Sequence, residues 1–221
     1  MENRAHVARN SAAGMVAVTF GILAGLGGLT HAIGEIRQGN NAPTGIVFNS
    51  WAEGPIATSM GGEPAMTIIP NLLTTGILSL IVSLAVLVWA ARFVHRQNGG
   101  RILIGLSIGM LLVGGGFGPP IMGILAGMAG TAIHAPLTWW REHLPSNMLH
   151  GLAVLWPWAF GVTVANGVFL VIGSLILIYF FGLNNADLFV NSFFFAVVSI
   201  LGTTLTAIAY DLQQQPRRVI A

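Results

Sequence analysis

Two residues four positions apart, His31 and Glu35, are the first in this chain whose types and spacing could do chemistry. On a helix that spacing sets the side chains beside each other, where a carboxylate and an imidazole could share a proton or a ligand. Glu53 and Glu63 follow in the next polar segment and lie on the same side of any membrane that the helix crosses. Beyond them Asn71, Thr75, Ser79 and Ser83 recur every four residues. Such a stripe suits interhelical hydrogen bonds or the lining of a path for a small neutral solute. The candidate ligand-binding residues are therefore His31, Glu35, Glu63 and Asn71. Two carboxylates and one histidine without fixed spacing are a weak metal signal, and no metal is assigned.

A second group gathers later: His134, His143 and His150, with Glu142 among them. With His31 these histidines form the alternative reading, a zinc or iron set in a membrane-embedded enzyme. Their spacings of nine and seven, with Pro145 between, match no metal motif. Trp139, Trp140, Trp156 and Trp158 flank them, the composition of a membrane-interface belt, so 135–151 reads as an interfacial segment. No catalytic residue or cofactor is assigned. Cysteine is absent, which removes thiolate nucleophiles and thiolate metal sites. Lysine is absent too, which removes a Schiff-base or P-loop lysine. No histidine falls at mid-depth of a predicted span, which argues against haem in the bilayer. Nor does any acidic or basic residue fall within a span, which counts against a proton-driven pump.

The elements that must position these residues are membrane helices. Of 221 residues 54% are hydrophobic and 7% charged, with mean hydropathy +0.78. Soluble domains carry about 25% charged residues, so a water-facing surface cannot be built from this composition. The nine arginines are scattered, which leaves no nucleic-acid surface. The expected fold is all-α, a single polytopic helix bundle over 1–221 with six, alternatively five, transmembrane helices. Spans are expected at about 12–33, 65–91, 152–181 and 188–210, with Pro157 marking where an interfacial lead-in becomes membrane helix. The polar segment 34–64 reads as an outer loop or lid. In the first span Gly14, Gly21 and Gly28 repeat every seven residues and interleave with Ala17, Ala24 and His31. This face of small side chains lets helix backbones approach closely and leads to Glu35 at its outer end.

The uncharged run 102–136 would make a helix of roughly 50 Å, too long for a hydrocarbon core of about 30 Å. Three glycines and a Pro-Pro pair in "GGGFGPP", 114–120, put the break there. If the chain turns back at that point, Arg4, Arg9, Arg92, Arg96, Arg101, Arg141, Arg217 and Arg218 share one side and Arg37 alone faces the other. The positive-inside rule then sets the N-terminus in the cytoplasm and the protein in the cell (inner) membrane. The expected partners are the lipid bilayer and, through the small face, a second copy or a membrane complex. The leading functional expectation is a permease or small-ligand-binding membrane protein. A metal-dependent membrane enzyme and an accessory subunit of a larger complex are the alternatives.

Overall fold

The computed structural model describes residues 11–219, with the side chains of 215–219 left aside. Arg4 and Arg9 lie outside the described residues. The chain is all-α apart from one small hairpin. Helix α1 spans Ala12–Gln38. The following segment holds β1 (Val47–Asn49), α2 (Pro55–Met60) and β2 (Pro64–Met66). Then come α3 (Leu72–Arg92), α4 (Gly99–Leu112), α5 (Gly118–Ala132) and a short α6 (Thr138–His143). Helix α7 (Ser146–Val168) continues through a π-helical turn, Phe169–Gly173, into α8 (Ser174–Phe181). Helix α9 runs over Ala186–Val219.

Four helical stretches are long and apolar enough to cross a membrane: α1, α3, the continuous α7–α8, and α9 over Ala186–Gln214. Helix α1 is the central one. Its apolar stretch is 67% buried, against 17% for α7–α8. The small face explains why. A Cβ on Gly21 would stand 2.5 Å from Ala90 Cβ, and one on Gly25 2.6 Å from Leu87 Cβ, so α3 lies directly on α1. Gly28 packs on Ser83 and Met110, and Gly27 on Pro119. Ala17, Phe20 and Ala24 are fully buried in the main core with Val86, Leu103 and Met110. The regularity in the first span is thus an intramolecular packing face.

The start of α1 is closed from the far end of the chain. Asp211 in α9 accepts hydrogen bonds from the Ala12 and Ala13 N–H groups at 2.8 and 3.0 Å, and Ser11 Oγ accepts from Gly14 N at 2.9 Å. Three donors that a helix N-terminus leaves unpaired are thereby satisfied, two of them by a carboxylate at the positive end of the dipole.

The chain reverses at "GGGFGPP". Gly114 and Gly116 take φ of +95° and +77°, values open to glycine and strained for other residues. Helix α5 then returns along α4, with Gly127 packed on Ile104 and Gly100, and Gly123 on Ser107. One continuous kinked helix is excluded. The arms are short, 14 and 15 residues, roughly 21–22 Å each at the α-helical rise.

Three boundaries differ from the sequence reading. Residues 65–71 do not belong to the second span, because Pro64–Met66 pairs with Val47–Asn49 and Asn71 caps α3. The polar segment therefore extends from 39 to 71. Pro157 does not interrupt the helix, since α7 runs through it. Membrane helices tolerate such a proline because neighbouring groups re-satisfy the freed carbonyl. The interfacial segment 135–151 holds α6 and also the first turn of α7.

Candidate functional site

His31 and Glu35 occupy the last two turns of α1, and both are buried, Glu35 completely. The i, i+4 spacing puts them side by side, but the structure joins them through a third residue. His31 Nδ1 lies 2.9 Å from Ser50 Oγ, and Ser50 Oγ donates to Glu35 Oε1 at 3.1 Å. On the other ring edge, His31 Nε2 is 3.5 Å from Glu63 Oε2, an ion pair too long for a good hydrogen bond. Glu35, Ser50 and His31 therefore form one hydrogen-bonded chain, with Glu63 3.5 Å beyond its histidine end.

The polar segment brings Ser50 and Glu63 to α1. The β1–β2 hairpin pairs Asn49 with Pro64, so the residues just beyond each strand end are neighbours. The Ser50 N–H donates to the Glu63 carbonyl at 3.1 Å, and Gln38 Nε2 donates to the Ser50 carbonyl at 2.7 Å. Glu63 itself has φ +51°, a strained conformation for a residue with a side chain, entered through Gly61 and Gly62, both also at positive φ. The hairpin is stitched to the α4–α5 turn by the bridge between Thr67 and Val113 and by Ile68 N donating to Leu112 O at 3.2 Å. The glycines of that turn close the site from the other side. A Cβ on Gly114 would stand 2.6 Å from both Glu35 carboxylate oxygens, and one on Gly116 would overlap the His31 ring. Only glycine lets the backbone pass this close to the pair.

The hydrogen bonds among Glu35, Ser50 and His31 can run in either direction, while Glu35 Oε2 and Glu63 Oε2 are buried without a hydrogen-bond partner. With Glu35 protonated, it donates to Ser50, Ser50 donates to His31 Nδ1, and His31 Nε2–H points at Glu63. With Glu35 ionised, Ser50 donates to it and receives from His31 Nδ1–H.

His31 and Glu63 also line a cleft of about 340 Å³. Its walls are the start of α5, the π turn with α8, and the start of α9, and they are otherwise almost wholly apolar. The π turn supplies Leu170 and Val171, and Phe169 stacks on Phe189 of α9 at 6.2 Å between ring centroids. Extra helical residues of this kind often sit where a helix surface must be re-aimed at a site. A second, more polar hollow of about 560 Å³ lies under 41–53, lined by Arg37, Trp51 and Glu53 among others. Glu53 belongs there, away from His31.

The other sequence candidates lie elsewhere. Asn71 accepts from Thr74 N at 2.9 Å and so caps α3, outside the cleft. Its stripe-mates Thr75, Ser79 and Ser83 are completely buried, with Ser83 against Gly28 and Thr75 against Gly114, so they pack helices together. His134 Nε2 pairs with the His95 carbonyl at 2.8 Å, His143 stacks on Trp139 at 4.9 Å, and His150 is exposed. All three lie at the Ser11 end of the bundle, opposite His31, so the alternative four-histidine set is not assembled. Among the described residues no group of three or more His, Asp and Glu could hold a metal ion. Ser50, which the sequence reading missed, had no signal beyond sitting in a polar segment. No protein-family model, curated protein or solved structure matches this chain.

Proposed function

We propose that this is a multi-pass membrane protein that binds a small ligand where His31 and Glu63 meet the apolar cleft. One observation carries the reading: a cleft of about 340 Å³, apolar over most of its wall, has a buried histidine and a partly buried glutamate converging on one end. That combination is the ordinary design of a small-molecule site, in which apolar walls supply contact and a few polar groups fix orientation. Toward the Ser11 end, Phe20, Leu103 and Met110 are completely buried in the core, which favours binding over open passage in this conformation. The membrane reading is supported by the exposed apolar flanks of α7–α8 and α9, with Trp158 77% and Phe180 80% exposed. The α4–α5 hairpin adds two short crossings to the four long spans, six in all. The cell membrane and a cytoplasmic N-terminus follow from the arginine distribution.

Gentle detergent extraction followed by native mass spectrometry tests the binding. Wild type should carry a small-molecule adduct that His31→Ala and Glu35→Gln lose while still melting as folded proteins. Retention of the same adduct by both variants would remove these residues from any site. Loss of folded protein in both would instead assign them to anchoring the loop.

A further inference from the structure

The cleft's side-chain chemistry is one-sided. Thr30 Oγ1 gives its hydrogen to Gly27 O at 2.7 Å, and Ser174 Oγ gives its own to Leu170 O at 2.6 Å. Each hydroxyl therefore faces a ligand only as an acceptor. Glu63 is an acceptor when ionised, and its Oε2 is buried with no hydrogen-bond partner. No arginine lines the cleft, and the chain has no lysine. Helix α5 begins here, and a helix start ordinarily offers unpaired N–H groups that suit an anion. Pro119 and Pro120 remove two of those donors. Aromatic and sulfur-bearing side chains complete the wall: Phe117, Phe189, Phe193 and Phe194, with Met60 and Met122. Ring faces beside a carboxylate attract a desolvated cation and give an anion nothing.

Resting on the small-ligand reading, we infer that the cleft takes a hydrophobic ammonium, its charged head at the Glu63 carboxylate and its apolar body among the phenylalanines. The head supplies the N–H donors that the side chains lack. The Glu63 carboxylate, whose Oε2 has no hydrogen-bond partner, provides the counter-charge. Binding is non-covalent, and no bond to carbon changes. Val190 and Phe194, 52% and 62% exposed, stand at the rim, where the ligand's tail would meet the bilayer.

The test uses three eight-carbon probes that differ only in the head: octylammonium, octanol and octanoate. Each is titrated calorimetrically into the full chain in neutral-detergent micelles, against a micelle blank. Wild type should bind octylammonium at least ~10-fold more tightly than either of the others, the size of one well-placed charge interaction. Glu63→Gln keeps the shape and removes the charge, and should bring octylammonium to the level of octanol. Val190→Trp narrows the rim and should weaken all three probes. Octanoate binding as tightly as octylammonium, or a preference that survives Glu63→Gln, overturns the ammonium assignment. If Val190→Trp still weakens every probe in that case, the small-ligand reading stands without it. If wild type binds none of the three, both fall.

Discussion

At the scale of single residues the site depends on a glycine as much as on a histidine. Gly116 has φ +77°, and a side chain there would run into the His31 ring. Gly182 has φ +64°, with nothing within 4 Å of where a Cβ would stand. Alanine at either position carries a similar backbone penalty of about 1 kcal/mol, so the pair separates strain from displacement. Gly182→Ala should melt slightly earlier and bind octylammonium as wild type does. Gly116→Ala should melt earlier and also lose binding, because His31 must swing away from Glu63. Equal binding by the two variants would show that His31's position does not matter to the ligand. The sequence alone carried His31, Glu35 and Glu63, because helical spacing and the rarity of charge in an apolar chain single them out. It could not carry Ser50, whose place beside His31 is set by hairpin register at the far end of a polar loop.

At the scale of elements, glycines that would be poor helix formers in water become packing residues. The cost of glycine in a helix is about 0.5–1 kcal/mol each, offset here by backbone contact that larger residues would prevent. Gly21→Leu would force its side chain into Ala90 and Leu103, and Gly28→Leu into Ser83 and Met110. Overpacking of this kind costs about 1–3 kcal/mol or more, so each variant should melt well below wild type in detergent. Gly105→Leu is the control, since nothing lies within 4 Å of its Cβ position. Unchanged melting of the first two would mean that α1 and α3 do not pack through this face. The heptad of small residues made the face legible, and the Gly-Gly-Gly and Pro-Pro runs made the chain reversal legible. Pro157 leaves no break, because a long apolar helix can keep its course through a missing donor. The closure of α1 by Asp211 was illegible, because nothing in a sequence ties residue 12 to residue 211.

At the scale of the whole molecule, the reversal at "GGGFGPP" decides which loops share a side. Helices alternate direction from α1 through α3, α4, α5 and α7–α8 to α9, so both Ser11 and Val219 fall at the same end. Arg92, Arg96, Arg101 and Arg141 lie at that end, and Arg37 at the other. In the orientation proposed above from the positive-inside rule, the Ser11 end would face the cytoplasm and the hairpin with its His–Glu site would face out. Because the chain has no cysteine, single cysteines report this without background. Glu53 and Glu142 are both exposed, one in the segment over the site and the other in α6 at the opposite end. With a membrane-impermeant maleimide on intact cells, Glu53→Cys should label at once and Glu142→Cys only after the membrane is opened. Five crossings would instead set both residues outside, and both would label in intact cells. The reverse pattern, with Glu142→Cys alone labelled, would turn the protein over in the membrane and make the cleft a receptor for ligands from within the cell.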